Sequence, residues 1–548
     1  MSPRQAFIAF AALVSFAVRA HDISADPTFS ISGVLVRHDT KRPIPHALVT
    51  VRANNDPDQQ VTLKTSEDGR FTFTAVPRGK YTLAAEYRDF EQMYRQDGPF
   101  STGIATGPGI DSEHIEFVYS MPASLSVQLV DEEGEPVREA ELTLFRRHVE
   151  SGRAVISIER ATQVYANGLH RFPRVAPGVY LVGAQGRPWY AQNRQEVSGP
   201  KAEEQTAMPN EMDVVYPMTY YPNTSDPEGA RSISVREGES ARIQIVMRPV
   251  HAARISIHGP GFDRDGERNI GVIPNATLMT FGPGGTAFQA QMSSGMMEHL
   301  TLTGVSPGRH ILIFTRPMNN GRPDQEQDQQ SAEINVTGDV SLNIADLPHT
   351  GLSGRVLVPE ALPPRPNLLL LLRDLQNSTG SMAEISKDGS FVLNNVLSTG
   401  HYEILLANTP ELYIQSLSAS GASYIDGRLE LESGKSVQLT VRIAKGMVKA
   451  DGVAVTRGKP TPGALVLLVP EDRSFVGDFP RDQSDSDGTF TLNGVHPGRY
   501  RLVAIDDGQE LEYRNPAVMK QYLANAQLFE FPANDGASLQ AEVQKRVR

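Results

Sequence analysis

The chain has 548 residues, 39% of them hydrophobic and 21% charged, which is enough apolar material for several cores and excludes a disordered polymer. Its formal net charge is -12 with a pI near 5.6, so it offers no basic field for nucleic acid, and the dispersed negative charge reads as solubility. It contains no cysteine, which excludes a disulfide framework, thiolate metal sites and cysteine nucleophiles.

The sequence opens on MSPRQAFIAFAALVSFAVRA. Arg4 precedes an apolar run from Ala6 to Val18, and Val18 and Ala20 stand at the spacing a signal peptidase accepts, so residues 1–20 are expected to be a cleaved export signal. An uncleaved N-terminal anchor is the competing reading, although the run is shorter than the about 20 apolar residues that span a bilayer. No later segment is apolar enough to cross a membrane, so the mature chain is expected to have no transmembrane span. It is expected to be periplasmic or extracellular, or held at the envelope by a partner.

From residue 28 onward one device recurs. DGRFTFTAVPRGKY ends at Tyr81, NGLHRFPRVAPGVY at Tyr180, LTLTGVSPGRH at His310, DGSFVLNNVLSTGHY at Tyr402 and DGTFTLNGVHPGRY at Tyr500. Its glycines Gly79, Gly178, Gly308, Gly400 and Gly498 recur about every 100 residues, a domain length rather than a solenoid period. Each copy reads strand, turn, strand. In the last, Asp487 and Gly488 supply a positive backbone dihedral, Phe490 and Leu492 share one face, and HPG makes the next turn before Tyr500, Leu502 and Ala504. Upstream of four copies lies a second strand pair, in which Ala47, Val49 and Val51, or Ala140, Leu142 and Leu144, alternate inward. The Leu368 to Leu372 run reads as a strand buried on both faces, or one whose outward residues a neighbouring module covers.

With 46 Gly, 38 Pro and no convincing long amphipathic helix, the pattern predicts an all-β fold. The expected architecture is a tandem array of about five immunoglobulin-like or prealbumin-like β-sandwich modules. Their expected boundaries are 28–122, 123–249, 250–349 (divergent), 350–446 and 447–548.

The stretch SGVLV…IPHALVTV…TSEDGRFTFTAVPRGKYTLAA resembles the carboxypeptidase regulatory-like domain, a transthyretin-like or Cna protein B-type sandwich. The fifth module is similar about as well, and the second and fourth over most of their length. The third departs from the pattern where Met297 and Glu298 replace the Asp-Gly turn and His310 replaces the tyrosine. The resemblance implies the fold rather than a function, since such sandwiches serve as spacers, adhesin stalks, receptor extensions and sugar-binding modules. In metallocarboxypeptidases this module follows a catalytic domain with a His-x-x-Glu zinc motif. None of the 13 histidines here has Glu three residues later, and HExxH and Gly-x-Ser-x-Gly are absent, so the chain is expected not to be an enzyme. No catalytic residue, metal ligand or cofactor is expected. An internal isopeptide bond of the Cna type is not expected either, because FSISGVLV lacks Lys and Glu86 falls off the inward set Tyr81, Leu83 and Ala85.

Three local motifs have plain readings. LPHTG, Leu347 to Gly351, spells a sortase pattern but lies at the junction into the fourth module. DQSDSDG, Asp482 to Gly488, and DRDGE, Asp263 to Glu267, look like the start of a calcium loop without its later Glu, and read as solvated turns. His21 would become the mature N-terminus and a copper chelator, but it begins a polar leader outside any module.

Aromatic clusters remain for recognition. RPWYAQ holds Trp189, the only tryptophan, and Tyr190, and YPMTYYPNTSDP holds Tyr216, Tyr220 and Tyr221 among Pro, Asn and Thr. Such rings either stack on sugars and fill a partner's pocket or close the end of the second core. The expected function is a non-catalytic exported scaffold that binds an envelope protein or polysaccharide. The alternative is a carbohydrate-binding protein that uses these five aromatic residues.

Overall fold

The computed structural model describes residues 27–96, 100–191, 211–258, 275–294, 299–316, 328–347, 351–358, 368–374, 379–393, 400–407, 409, 411–432, 434–472, 474–508 and 510–547. The expected export signal, His21, the DRDGE stretch, Met297, Glu298 and the middle of LPHTG lie outside these residues.

Among the described residues the chain is β-rich throughout, with a single α-helix, Pro516–Leu523. Strands bury every second side chain, as their period of two requires: Tyr81, Leu83 and Ala85 of Gly79–Tyr87 point inward. Five large apolar cores form in this way. They lie around Leu83 and Phe117, Leu125 and Leu144, Ile257 and Leu312, Leu370 and Leu439, and Val466 and Phe490. In the strand Leu369–Asp374 the inward Leu370 and Leu372 are buried, and the outward Leu369 and Leu371 are half-buried. The leucine run therefore has one core face and one half-buried face, rather than two buried ones.

One connection repeats around every core. The first strand pairs in parallel with the last, as Phe29–Arg37 does with Ile115–Tyr119. The same pairing joins Ala123–Val130 to Ser240–Val246, Ala253–His258 to Val340–Asn343, Leu352–Leu357 to Val437–Lys445, and Val448–Thr456 to Ala537–Lys545. In the fifth sandwich Ala537–Lys545 also pairs with Gly498–Asp506, so its two sheets join along one edge.

The repeated turn and tyrosine each have a structural role. Gly69, Gly168, Gly389 and Gly488 have φ of 74°, 63°, 83° and 79°. Their carbonyls accept from the N–H of Leu35, Leu129, Val356 and Ala454 at 2.9, 2.7, 2.7 and 2.8 Å, which fastens each turn to its first strand. A Cβ at these positions would stand 2.8, 2.4, 2.4 and 2.9 Å from the same residues' carbonyl oxygens, so only glycine fits. The hydroxyls of Tyr81, Tyr180 and Tyr500 donate to the carbonyls of Pro77, Ala176 and His496, four residues earlier, at 3.0, 2.7 and 3.0 Å. His310 makes the equivalent bond. Its Nε2 lies 2.8 Å from the Ser306 carbonyl, and its Nδ1 lies 3.1 Å from Thr280 Oγ1. Burial pushes its pKa down and keeps the ring neutral, so Nε2 carries the donated proton. The divergent third copy thus keeps the bond and changes the donor.

The first and fifth sandwiches meet, although about 400 residues separate them. Lys80 pairs with Asp485 and also donates to Thr489 Oγ1 at 3.0 Å. The N–H of Gly103 donates to Asp485 Oδ1 at 3.0 Å, that of Ala105 to Ser486 Oγ at 2.9 Å, and Arg95 to the Pro462 carbonyl at 2.7 Å. The DQSDSDG stretch is therefore not the solvated turn expected from its composition. Gln483 is 2% exposed because its amide donates to the Arg95 carbonyl and Thr102 Oγ1 of the first sandwich, and Ser484 is buried against Thr461 and Ala464 of its own sandwich. Replacing Asp485 with Ala leaves the Gly103 N–H without its acceptor and the Lys80 ammonium with Thr489 Oγ1 alone, and is expected to cost about 1–3 kcal/mol. Faster limited proteolysis of the first sandwich would report it, and an unchanged digestion pattern would show that this contact is energetically idle.

Candidate functional site

The five aromatic residues singled out in the sequence divide. Trp189 is 74% exposed, three residues beyond the end of the strand Gly178–Gly186. Tyr190 meets it edge-on with ring centroids 5.8 Å apart, and the Arg138 guanidinium lies 5.6 Å from the Trp189 ring centre. Burial and the acidic turn at Glu132, Glu133 and Asp131 push the Tyr190 phenol above its ordinary value. The result is a flat apolar face bordered by a cation and by carboxylates.

Tyr216 and Tyr220 lie on the strand Val214–Tyr220, not in a loop, and are 3% and 1% exposed. Tyr216 belongs to the second core, while Tyr220 packs on Phe145 and reaches the Phe281 carbonyl of the third sandwich at 3.4 Å. Tyr221 is half-buried against the second core. These three rings are packing residues in this arrangement, and the exposed pair is Trp189 with Tyr190.

A second site is built where sandwiches meet. The strands Glu139–Glu150 and Arg153–Tyr165 are 12 and 13 residues long, and pairing of the first with Gly178–Gly186 ends at Arg147. The hairpin tip therefore projects beyond its own sheet. There Gly152 accepts from the Arg514 N–H at 3.1 Å, and Ser151 Oγ accepts from Arg373 at 3.4 Å. Arg153 donates to the Asp426 carbonyl and lies 3.5 Å from Glu403. Gly152 has φ 77°, and a Cβ there would stand 2.4 Å from the Tyr513 ring, so the tip fits the seam only as glycine.

Charge at this seam is concentrated and buried. Arg373 pairs with Glu403 and, at 3.1 Å, with Asp478, bridging the fourth and fifth sandwiches. Burial, together with Arg514 and Arg428, pulls the Arg153 pKa down to about 10. An aromatic stack continues the seam. His496 lies between Tyr413 and Phe475 at 4.4 and 4.8 Å, and Arg481 covers Phe100 and Tyr513 at 4.4 and 5.6 Å.

A cleft of about 720 Å³ opens here, lined by residues of the first, second, fourth and fifth sandwiches. None of its residues stood out as a site in the sequence. The available signal was extra length, since the fifth module carries an added segment between Asp506 and Gln527 that contains the helix Pro516–Leu523. Among the described residues no group of three or more His, Cys, Asp or Glu could hold a metal ion, and no helix is long and apolar enough to cross a membrane.

Residues 30–104, in the first sandwich, match the carboxypeptidase regulatory-like domain family. No curated protein matches the chain. Among solved structures the chain is similar to the TIE protein of Bacillus anthracis, with 9% identity, a TM-score of 0.17, and coverage of 78% of this chain and 76% of that one. It is also similar to two B repeat units of the collagen binding protein of Staphylococcus aureus, with 10% identity, a TM-score of 0.12, and coverage of 76% and 100%. For the major pilin subunit BcpA of Bacillus cereus the values are 10%, 0.13, 58% and 99%.

Proposed function

We propose that this chain is a non-catalytic exported scaffold whose five β-sandwich modules, 28–122, 123–249, 250–349, 350–446 and 447–548, present a recognition surface to an envelope protein or polysaccharide. The observation that carries the reading is Trp189, a large flat ring left 74% exposed beside Tyr190 and Arg138. An exposed indole with an ordered cation and a phenol at its rim is the composition of a binding hot spot. Docking of the second module's hairpin tip on the fourth and fifth supports it, because a fixed module holds such a surface ready. Export rests on the signal-like first 20 residues. A flat ring at the surface also suits a sugar face, which keeps the carbohydrate-binding reading as the second one.

Trp189→Ala is expected to abolish binding at this surface while changing stability by less than about 1 kcal/mol, the scale of an exposed cation–π contact. A glycan array probed with both proteins separates the readings. A glycan signal lost in the variant selects polysaccharide. No glycan signal together with a Trp189-dependent complex with a purified envelope protein selects a protein partner. Trp189 fluorescence unmoved by either class of ligand rejects the surface.

A further inference from the structure

The exposed ring pair Trp189 and Tyr190 lies in a field of one sign. The tight turn beside it is closed by its first carboxylate, since Asp131 Oδ1 accepts the N–H groups of Glu133 and Glu135 at 3.1 and 2.8 Å. Glu132, Glu133 and Glu135 are left exposed, and none of them forms an ion pair among the described residues. Their charge reaches the rings: besides burial, the groups that raise the Tyr190 phenol are Glu132, Glu133 and Asp131, all of them carboxylates. Arg138 is the cation at this rim, and its guanidinium is already placed 5.6 Å from the Trp189 ring centre. The carboxylates do not converge on a point, because among the described residues no group of three or more acidic or histidine side chains could hold a metal ion. They offer a negative field spread along a flat aromatic face. Ring faces attract cations themselves, and a guanidinium answers both features, stacking on a ring while its N–H groups pair with a carboxylate. The chain's own junctions show such contacts filled. Arg481 of the fifth module lies 4.4 Å from the Phe100 ring of the first, and Arg174 of the second pairs with Asp89 of the first at 3.0 Å. At Trp189 the aromatic and acidic half of the contact is present, with the indole 74% exposed. A uronate polymer is repelled by this field and a neutral sugar leaves its charge unanswered, so the field favours a basic protein segment.

We propose that the Trp189 surface takes an arginine-bearing segment of a partner protein, with a guanidinium stacked on the open part of Trp189 and Tyr190 and paired with Glu132 and Glu133. This rests on the proposed function, because it uses the same rings and adds the charge of the partner they receive.

Trp189 is the only tryptophan, so its emission reports this surface directly. The purified chain is titrated with a decapeptide of alternating glycine and arginine, with its glutamine and glutamate counterparts, and with neutral gluco-, xylo- and manno-hexasaccharides. The arginine peptide is expected to shift the emission, and the glutamine and glutamate peptides are not. Glu132→Gln combined with Glu133→Gln is expected to raise the Kd of the arginine peptide about three- to tenfold, the scale of two exposed ion pairs. That difference should shrink as salt rises from about 50 mM to about 500 mM. Both glutamates are exposed, so the melting temperature should hold. Glu67→Gln combined with Glu116→Gln removes the same charge from exposed positions of the first module and is expected to leave the Kd unchanged. The proposal is overturned if the glutamine or glutamate peptide shifts the emission at an equal or lower concentration, or if the variant of the turn binds the arginine peptide as the parent does. It is equally overturned if the pair of changes in the first module weakens binding as much as the pair at the turn. A neutral hexasaccharide that shifts the emission where the arginine peptide does not would sink this assignment and leave Trp189 standing as a sugar-binding surface. Emission unmoved by every probe would remove both.

Discussion

Replacing Arg373 with leucine is expected to destabilise the seam between the second, fourth and fifth sandwiches by about 3 kcal/mol. The reason is the carboxylate it leaves behind. Glu403 is 5% exposed and pairs with Arg373; without that partner its remaining cation is Arg153 at 3.5 Å, whose own pKa is already depressed by burial and by Arg514 and Arg428. Breaking a buried pair from one side usually costs about 3–5 kcal/mol, and Arg153 holds the loss at the lower end. Because several sandwiches unfold in one chain, the readout should be local: hydrogen exchange at the hairpin tip Ser151 to Arg153 should accelerate before global melting shifts. Removing both charges, Arg373→Leu with Glu403→Leu, should recover most of the loss, since an apolar pair in place of a buried ion pair is often neutral. Gly152→Val should release the same tip by a different route, through the strained φ and the Tyr513 ring. Unchanged exchange at the tip in Arg373→Leu would mean that the charged cluster does not hold the seam.

What was legible in the sequence follows from where the physics is local. The Asp-Gly turns and alternating strands announce themselves because a positive φ and a period of two are properties of adjacent residues. Tyr216 and Tyr220 show a signal passed over: both are buried on the strand VVYPMTY, Tyr216 in the second core and Tyr220 with Met218 against Phe145 and Leu181 in a separate cluster, but Pro217 and the following Asn and Thr give the stretch the composition of a loop. Trp189 could be singled out as the only tryptophan, although nothing local separated surface from core. The docking surfaces were not legible, because each joins residues hundreds of positions apart. Lys80 and Asp485 are paired by no sequence motif, and DQSDSDG has the composition of a solvated turn until another module covers it. The long hairpin tip offered only one hint, two strands longer than their neighbours.

Acidification from pH 7 to pH 4 is expected to weaken the junction of the fourth and fifth sandwiches by about 3 kcal/mol through His496 alone. The ring is stacked between Tyr413 at 4.4 Å and Phe475 at 4.8 Å, with planes within 27° and 26° of parallel, and burial there lowers its pKa from 6.5 to about 4. The unfolded chain therefore takes up a proton near pH 6.5 that the folded chain refuses until about pH 4. Stability from this group is full above pH 6.5 and is lost progressively as pH falls toward 4. His170 and His310, whose pKa values burial also lowers, act in the same direction. Asp482 acts against them, because burial raises its carboxyl pKa and makes the folded state the better proton acceptor in the acidic part of the window. Bulk acid denaturation would mix these contributions, so the measurement needs a variant that keeps the stack and removes the titration. His496→Phe does this, since the Tyr500 hydroxyl bonds the backbone carbonyl of residue 496 and not its ring. The stability difference between His496→Phe and the parent should grow in favour of the variant by about 3 kcal/mol between pH 6.5 and pH 4. Parallel curves over that range would mean that the ring is protonated without cost, and that the stack is open to water.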